Sequence, residues 1–250
     1  MSKDIESLRK EAEQGDARAQ FGLGYYYFIG DGVAQDYGET AKWWEKSAQQ
    51  GDTDAQTNLG ICYYQGLGVE QNYEKAVELW QQASEKGDVD ALCKLGSCYM
   101  QGSGVEKNYA KAFTCFEKAA KQGDSDGQFW LGCFYNDGVS VAQDYEKAFE
   151  WYLKSAEQGN AKAQYQVGLG YDDGIGAQQD YAKAFEWYEK SAKQGYGKAQ
   201  FFLGNCYRQG HGVSRDFDQA IYWFRKAAAL GDVDALQMIE TCQTMKKLLG

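Results

Sequence analysis

The 250-residue chain contains no proline and a single histidine, His211. Without proline, nothing in its interior forces a helix to break, and proline-rich linkers are excluded. One histidine cannot supply a multi-histidine metal set. The cysteines number seven, an odd count, and none are spaced CxxC. That pattern argues against zinc sites and points to reduced thiols in a cytoplasmic setting. No long apolar run is present, and Met-Ser-Lys-Asp-Ile-Glu-Ser-Leu-Arg-Lys at the start is not a secretory leader. Positive charge is also scarce: the formal net charge is -10. Such a surface repels phosphate backbones and anionic lipid, so nucleic acid and membrane are excluded as partners.

Glycine, by contrast, is abundant and periodic. Gly24, Gly60, Gly96, Gly132, Gly168 and Gly204 lie 36 residues apart, each inside a similar stretch such as Ala55-Gln56-Thr57-Asn58-Leu59-Gly60-Ile61-Cys62-Tyr63. A fixed period of this size marks a repeat array. In Thr53 to Asp88, Gln56, Leu59 and Tyr63 give a helical stripe, and Ala76, Leu79, Trp80 and Ala83 give a second. A loop with two glycines, Gly66 and Gly68, joins them. Asp36, Asn72, Asn108, Asp144, Asp180 and Asp216 are expected N-caps of the second helices. Asp16, Asp52, Asp88, Asp124, Asn160 and Asp232 are placed to cap the first helices. Gly15, Gly51, Gly87, Gly123, Gly159, Gly195 and Gly231 are expected left-handed stops.

The small residues imply close helix packing. Gly60 and its equivalents face Ala76 and its equivalents, and the rings Trp44, Trp80, Phe116, Tyr152, Tyr188 and Phe224 fill the remaining space. Six full repeats are expected over 17–52, 53–88, 89–124, 125–160, 161–196 and 197–232, all within one repeat domain. A half-repeat, 1–16, precedes them and a capping helix, 233–250, follows. The last helix exchanges the glycine for Glu240 and the tyrosine for Gln243, which suits a solvent-facing cap.

Ala199-Gln200, Leu203-Gly204, Tyr207, Gly210-His211-Gly212-Val213, Asp216-Phe217 and Ala220 through Phe224 carry a recognisable signature. It resembles the Sel-one-like repeat family, a relative of the tetratricopeptide repeats. The resemblance implies an all-α, right-handed solenoid of helix-loop-helix repeats that acts as a scaffold or adaptor, with its first helices lining a concave face. Two loop residues depart from the pattern: Ser140 for the second glycine and Ala177 for the valine. A cysteine-rich branch of the family links neighbouring repeats by disulfides. The matching positions here, Ala48 with Gln56 and Ser84 with Leu92, hold no cysteine.

Candidate chemistry is thin. Cys62, Cys98, Cys206 and Cys242 occupy one repeat position and are expected to be packing residues, not a metal set. Ser7-Leu-Arg-Lys10 matches the short SxxK pattern of penicillin-recognising enzymes, but no Ser-Asp-Asn accompanies it. The glycine loops lack a GK[ST] ending, and Asp172-Asp173-Gly174 lacks the spaced ligands of a calcium loop. No catalytic residue, cofactor or metal is expected.

Subtracting the recurring residues leaves a variable first-helix stripe, at the positions of Asp54, Thr57, Ile61, Tyr64 and Gln65. It carries Phe21, Tyr25, Phe28 and Ile29, then Phe129 with Trp130 at its edge, Tyr165, Leu169, Phe201 and Phe202. Asp137, Asp172 and Asp173 make it acidic, and Arg208 follows. These residues form the candidate protein-binding face, suited to a basic, partly apolar peptide or protein loop. The expected function is a non-catalytic scaffold in a bacterial-type cytoplasm. A narrower form is an immunity-type inhibitor that grasps a toxin or effector, and the competing class is a weak penicillin-binding or cell-wall hydrolase. The sequence does not set the oligomeric state.

Overall fold

The computed structural model describes residues 5–249, and every regular element among them is a helix. The chain divides into two compact units, Met1–Gln122 and Gly123–Gly250.

The N-terminal unit contains α1 (Ile5–Glu13), α2 (Ala17–Ile29), α3 (Tyr37–Gln49), α4 (Thr53–Gln65), α5 (Tyr73–Glu85), α6 (Val89–Gln101) and α7 (Tyr109–Lys121). The C-terminal unit contains α8 (Ser125–Asp137), α9 (Tyr145–Glu157), α10 (Ala161–Asp173), α11 (Tyr181–Lys193), α12 (Gly197–Gln209), α13 (Phe217–Ala229) and α14 (Val233–Leu249). In both, a second helix packs on the first helix of its own repeat and on the first helix of the next, as α5 does on α4 and α6. Consecutive hairpins stacked this way are the building plan of an all-α solenoid.

The helix ends follow their sequence signals. Asp36 accepts from Gly38 N and Glu39 N, and Asn72 accepts from Lys75 N. Asp52 and Asp88 each accept from the amide three residues on, at 2.8 and 2.7 Å. The exception is α12, where Tyr196 stands at the N-cap and makes no side-chain cap bond.

Packing explains the recurrent glycine. A Cβ on Gly60 would lie 2.5 Å from Trp80 Nε1, far inside van der Waals contact. The indole therefore rests directly on the α4 backbone, and its Nε1–H donates to Thr57 O at 3.0 Å. The recurrent glutamine acts elsewhere, at the junction between repeats. Gln20, Gln56, Gln164 and Gln200 donate Nε2–H to Ala12 O, Ala48 O, Ala156 O and Ala192 O at 3.0, 3.3, 3.1 and 3.3 Å. Each bond adds a second donor to a carbonyl that already accepts from the amide of the following glycine, as Ala48 O does from Gly51 N at 2.9 Å, and so ties one repeat to the end of the preceding helix. In the loops, Ser140 keeps the left-handed backbone of the glycine it replaces, with φ 62°.

Candidate functional site

The first-helix stripe separates into a buried edge and an exposed ridge. The position of Thr57 forms the buried edge. Phe129 and Tyr165 are each 8% exposed and belong to the core. Phe129 packs on Tyr152 at 5.9 Å and Tyr165 on Tyr188 at 6.1 Å. Phe21 and Phe201 are half-buried and pack on Trp44 at 6.0 Å and Phe224 at 5.5 Å. The expectation that Phe129 and Tyr165 are free for a ligand is corrected, since both are buried, and all four rings pack on the aromatic ring of their own repeat's second helix. A 100° wheel assigns them to the outer face, but a first helix is flanked on both sides, so its buried arc is wider than the Leu59–Tyr63 stripe.

Trp130 and Phe202 are half-buried as well. Trp130 lies 5.4 Å from Phe129, and Phe202 lies 5.5 Å from Tyr165 and 5.4 Å from Tyr188. Phe28 stacks between Trp44 and Tyr37, at 5.5 and 5.6 Å. Tyr64 leans on Tyr73 and Trp80 and donates its hydroxyl to Gln101 Oε1 at 3.2 Å.

The exposed ridge holds Tyr25 (49% exposed) and Ile29 (44%) in the N-terminal unit, and Asp137 and Asp173 in the C-terminal unit. Arg208 is half-buried and donates from Nε and one Nη to Asn205 Oδ1, at 3.1 and 3.0 Å, so it is held against its own helix.

Between successive first helices the ridge is indented. In the N-terminal unit a recess of about 210 Å³ is lined by Ile61, Tyr64, Lys94 and Ser97, with Trp80 among its walls. In the C-terminal unit a recess of about 200 Å³ uses equivalent positions and is lined by Asn136, Phe149, Tyr152, Leu169 and Asp173. Sequence periodicity flagged the ridge residues, but not the recesses. Phe149, on a second helix, lies outside the stripe, and Lys94, at the edge position held elsewhere by Trp130, meets Tyr64 of the preceding repeat only when two repeats are stacked.

Electrostatics differ along the ridge. Burial raises the Asp172 carboxyl above its ordinary value, although the Tyr188 hydroxyl, donating to Oδ2 at 3.2 Å, opposes the shift. Burial also raises the Tyr188 and Tyr152 phenols. Tyr165 is pushed up to about 12 by burial, with Tyr196 and Asp173 adding to it. Burial likewise holds Cys62, Cys98, Cys115 and Cys133 at about 11 and Cys206 at about 12, so these thiols stay protonated near neutrality. None of the seven cysteines is in a disulfide, and no group of three or more metal-ligating side chains forms among the described residues. Ser7 and Lys10 are both exposed on α1. No helix among the described residues is long and apolar enough to cross a membrane.

A family model for the Sel1 repeat matches residues 17–52, 53–88, 89–124, 125–160, 161–196 and 197–232. Among solved structures, c5321, a protective antigen of uropathogenic Escherichia coli strains with an SLR fold, is 37% identical with a TM-score of 0.89. That alignment covers 95% of this chain and 51% of c5321, so the chain spans about half the length of that relative. A Sel1 repeat protein from Oxalobacter formigenes is 32% identical, with a TM-score of 0.79 and 86% of each chain covered. The immunity protein Pa5087 from Pseudomonas aeruginosa is 21% identical, with a TM-score of 0.52, 92% of this chain covered and 83% of Pa5087, a likeness of fold alone. No curated protein matches the chain.

Proposed function

Because the chain belongs to the Sel1 repeat family, whose stacked hairpins serve protein–protein interaction, we propose that it is a non-catalytic scaffold or adaptor holding another protein along its first-helix ridge. One observation carries this reading. Tyr25 stands at a first-helix position that differs in all six repeats, and Ile29, Gln65, Asp137 and Asp173 share a position that is exposed in every repeat and changes from apolar to polar to acidic, while Leu59, Gly60 and their buried equivalents recur on the packed face. A fold that needed nothing from those positions would have no use for an apolar pair such as Tyr25 and Ile29 in water. The partner is a peptide or protein loop with apolar side chains for the N-terminal unit and basic ones for the carboxylates of the C-terminal unit. Two relatives above 30% identity are bacterial, and seven cysteines, none in a disulfide, suit a reducing compartment, which supports a bacterial cytoplasm.

Affinity capture from the native cell, with crosslinking and mass spectrometry, tests this. The double variants Tyr25→Ser/Ile29→Ser and Asp137→Asn/Asp173→Asn should each lose at least tenfold of the captured partner while melting as the parent does. Full retention by both would remove the ridge as the binding face. If the partner is a toxin or effector, its activity should fall in step with capture, which marks the inhibitor form of the same function. A reactive β-lactam should leave Ser7 unlabelled; labelling there would reverse the assignment as a non-enzyme.

A further inference from the structure

A further recess lies away from the first-helix ridge, in the C-terminal unit between α13 and α14. It measures about 950 Å³ and is lined by Ile221, Tyr222, Arg225 and Lys226 of α13 and by Lys246 and Lys247 of α14, among others. Its chemistry is unlike the rest of the molecule. In a chain of net charge -10, four cations line one trough. The single carboxylate among its lining residues, Asp218, is already engaged by Lys246 Nζ at 2.6 Å. The trough also exposes apolar surface, since Tyr222 is 48% exposed beside the buried Ile221.

The repeats supply an internal control. Arg225 occupies the position held by Glu45, Gln81, Glu117, Leu153 and Glu189 in the preceding repeats, so the positive charge arises only here. They also supply the shape. In the N-terminal unit, the equivalent edge of α3, at Glu45 and Gln49, faces a 13-residue helix, α5, across a narrow recess with Tyr63 of α4 beside it. The α13–α14 trough thus has the outline of a helix seat. A further repeat of the same kind does not fit it in register. The position of the packed glycine is Glu240, whereas at Gly204 an added Cβ would already lie 2.8 Å from the Phe224 ring.

We propose that the α13–α14 trough is a second docking surface, which takes an acidic amphipathic helix from a protein partner. Leucine-sized side chains of that helix rest on Ile221 and Tyr222, and its carboxylates meet Arg225, Lys226 and Lys247. Helix-in-groove recognition supplies the apolar anchor, and charge complementarity supplies the selectivity. A trough with an apolar floor between cationic walls matches a helix better than a polyanion. The acidic remainder of the surface also repels nucleic acid and anionic lipid.

The test uses the full chain and two fluorescein-labelled 13-residue peptides, each with leucine on one helical face. One carries glutamate and the other lysine at the remaining positions. Fluorescence anisotropy should show the glutamate peptide binding at least tenfold more tightly at low salt and weakening in 0.5 M salt. Arg225→Glu with Lys247→Glu should invert that preference, and both residues are exposed, so the melting temperature should not move. Tyr222→Ser should weaken the glutamate peptide several-fold, whereas Tyr25→Ser/Ile29→Ser should not affect it, which separates this surface from the ridge. Equal binding of the two peptides, or unchanged glutamate binding in the charge-reversed variant, would overturn the proposal. So would displacement of the peptide by an oligonucleotide or phosphatidylserine vesicles, or sedimentation showing that the parent self-associates and the Tyr222→Ser variant does not.

Discussion

The two recesses of the first-helix ridge use equivalent positions two repeats apart, and they differ in the ring at their base. In the N-terminal unit that ring is Trp80; in the C-terminal unit it is Tyr152. An indole carries its donor partway along the ring, and Trp80 Nε1–H is used up on the backbone carbonyl of Thr57. Trp44 does the same with Phe21 O at 3.1 Å. A phenol carries its polar atom at the far end, so it reaches past the backbone to a side chain of the first helix. Tyr188 donates to Asp172 Oδ2 at 3.2 Å. The choice of ring therefore helps to set what the ridge can display. With tryptophan the neighbouring ridge position is apolar, as with Phe28 and Tyr64. With tyrosine a polar group is tethered there.

Removing the rings should give the largest effect. Trp80→Ala and Tyr188→Ala are each expected to cost about 3–5 kcal/mol. Amide exchange should lose protection across α4–α6 in the first variant and α10–α12 in the second. Equal loss throughout the chain would mean that the two units do not open separately.

The loops give the next contrast. At Gly68, φ is 69° and a Cβ would run into the Tyr37 carbonyl, so Gly68→Ser should destabilise by about 2 kcal/mol or more. At Ser140 the strain is already present, so Ser140→Gly should stabilise by up to about 1 kcal/mol in urea melts. A loss of stability there would mean that the serine side chain makes a compensating contact.

Smaller changes isolate the polar atoms. Trp80→Phe removes a buried hydrogen bond, although Thr57 O keeps its helical one within α4, and should cost about 1–1.5 kcal/mol. Tyr188→Phe frees Asp172, which is half-buried and still reaches water, and should cost about 0.5–1 kcal/mol. Equal costs would show that the two rings serve the fold in the same way.

The smallest effect concerns pH. Burial raises the folded-state pKa of Asp172 above its unfolded value, so the native state binds the proton more tightly. Stability from this group is present below the ordinary carboxylate pKa of about 4 and is lost as pH rises through the raised value. Asp172→Asn keeps an acceptor for the Tyr188 hydroxyl and carries no charge, so it should be slightly more stable than the parent near neutrality and no more stable in acid. A parent that gains stability from Asp172 as pH rises would contradict the assigned direction.

Most of the framework is legible in the residues themselves. Gly60 opposite Trp80, Asp36 at a cap and Asn72 at the next all declare their roles through spacing. The recurrent glutamine is harder to read, because its partner, the carbonyl of Ala48, is a backbone atom with no sequence signature. The trough between α13 and α14 left one visible trace, Arg225 in a position otherwise held by glutamate, glutamine or leucine.

The amino-acid order alone settled the period, the helix boundaries and the close seating of rings on glycine, because each follows from local geometry repeated six times. It did not settle which variable rings meet solvent. Tyr25 is exposed and Tyr165 is enclosed, although both lie on the same nominal face. That outcome depends on the helices flanking each side and on the ring opposite, and those neighbours exist only once the hairpins are stacked.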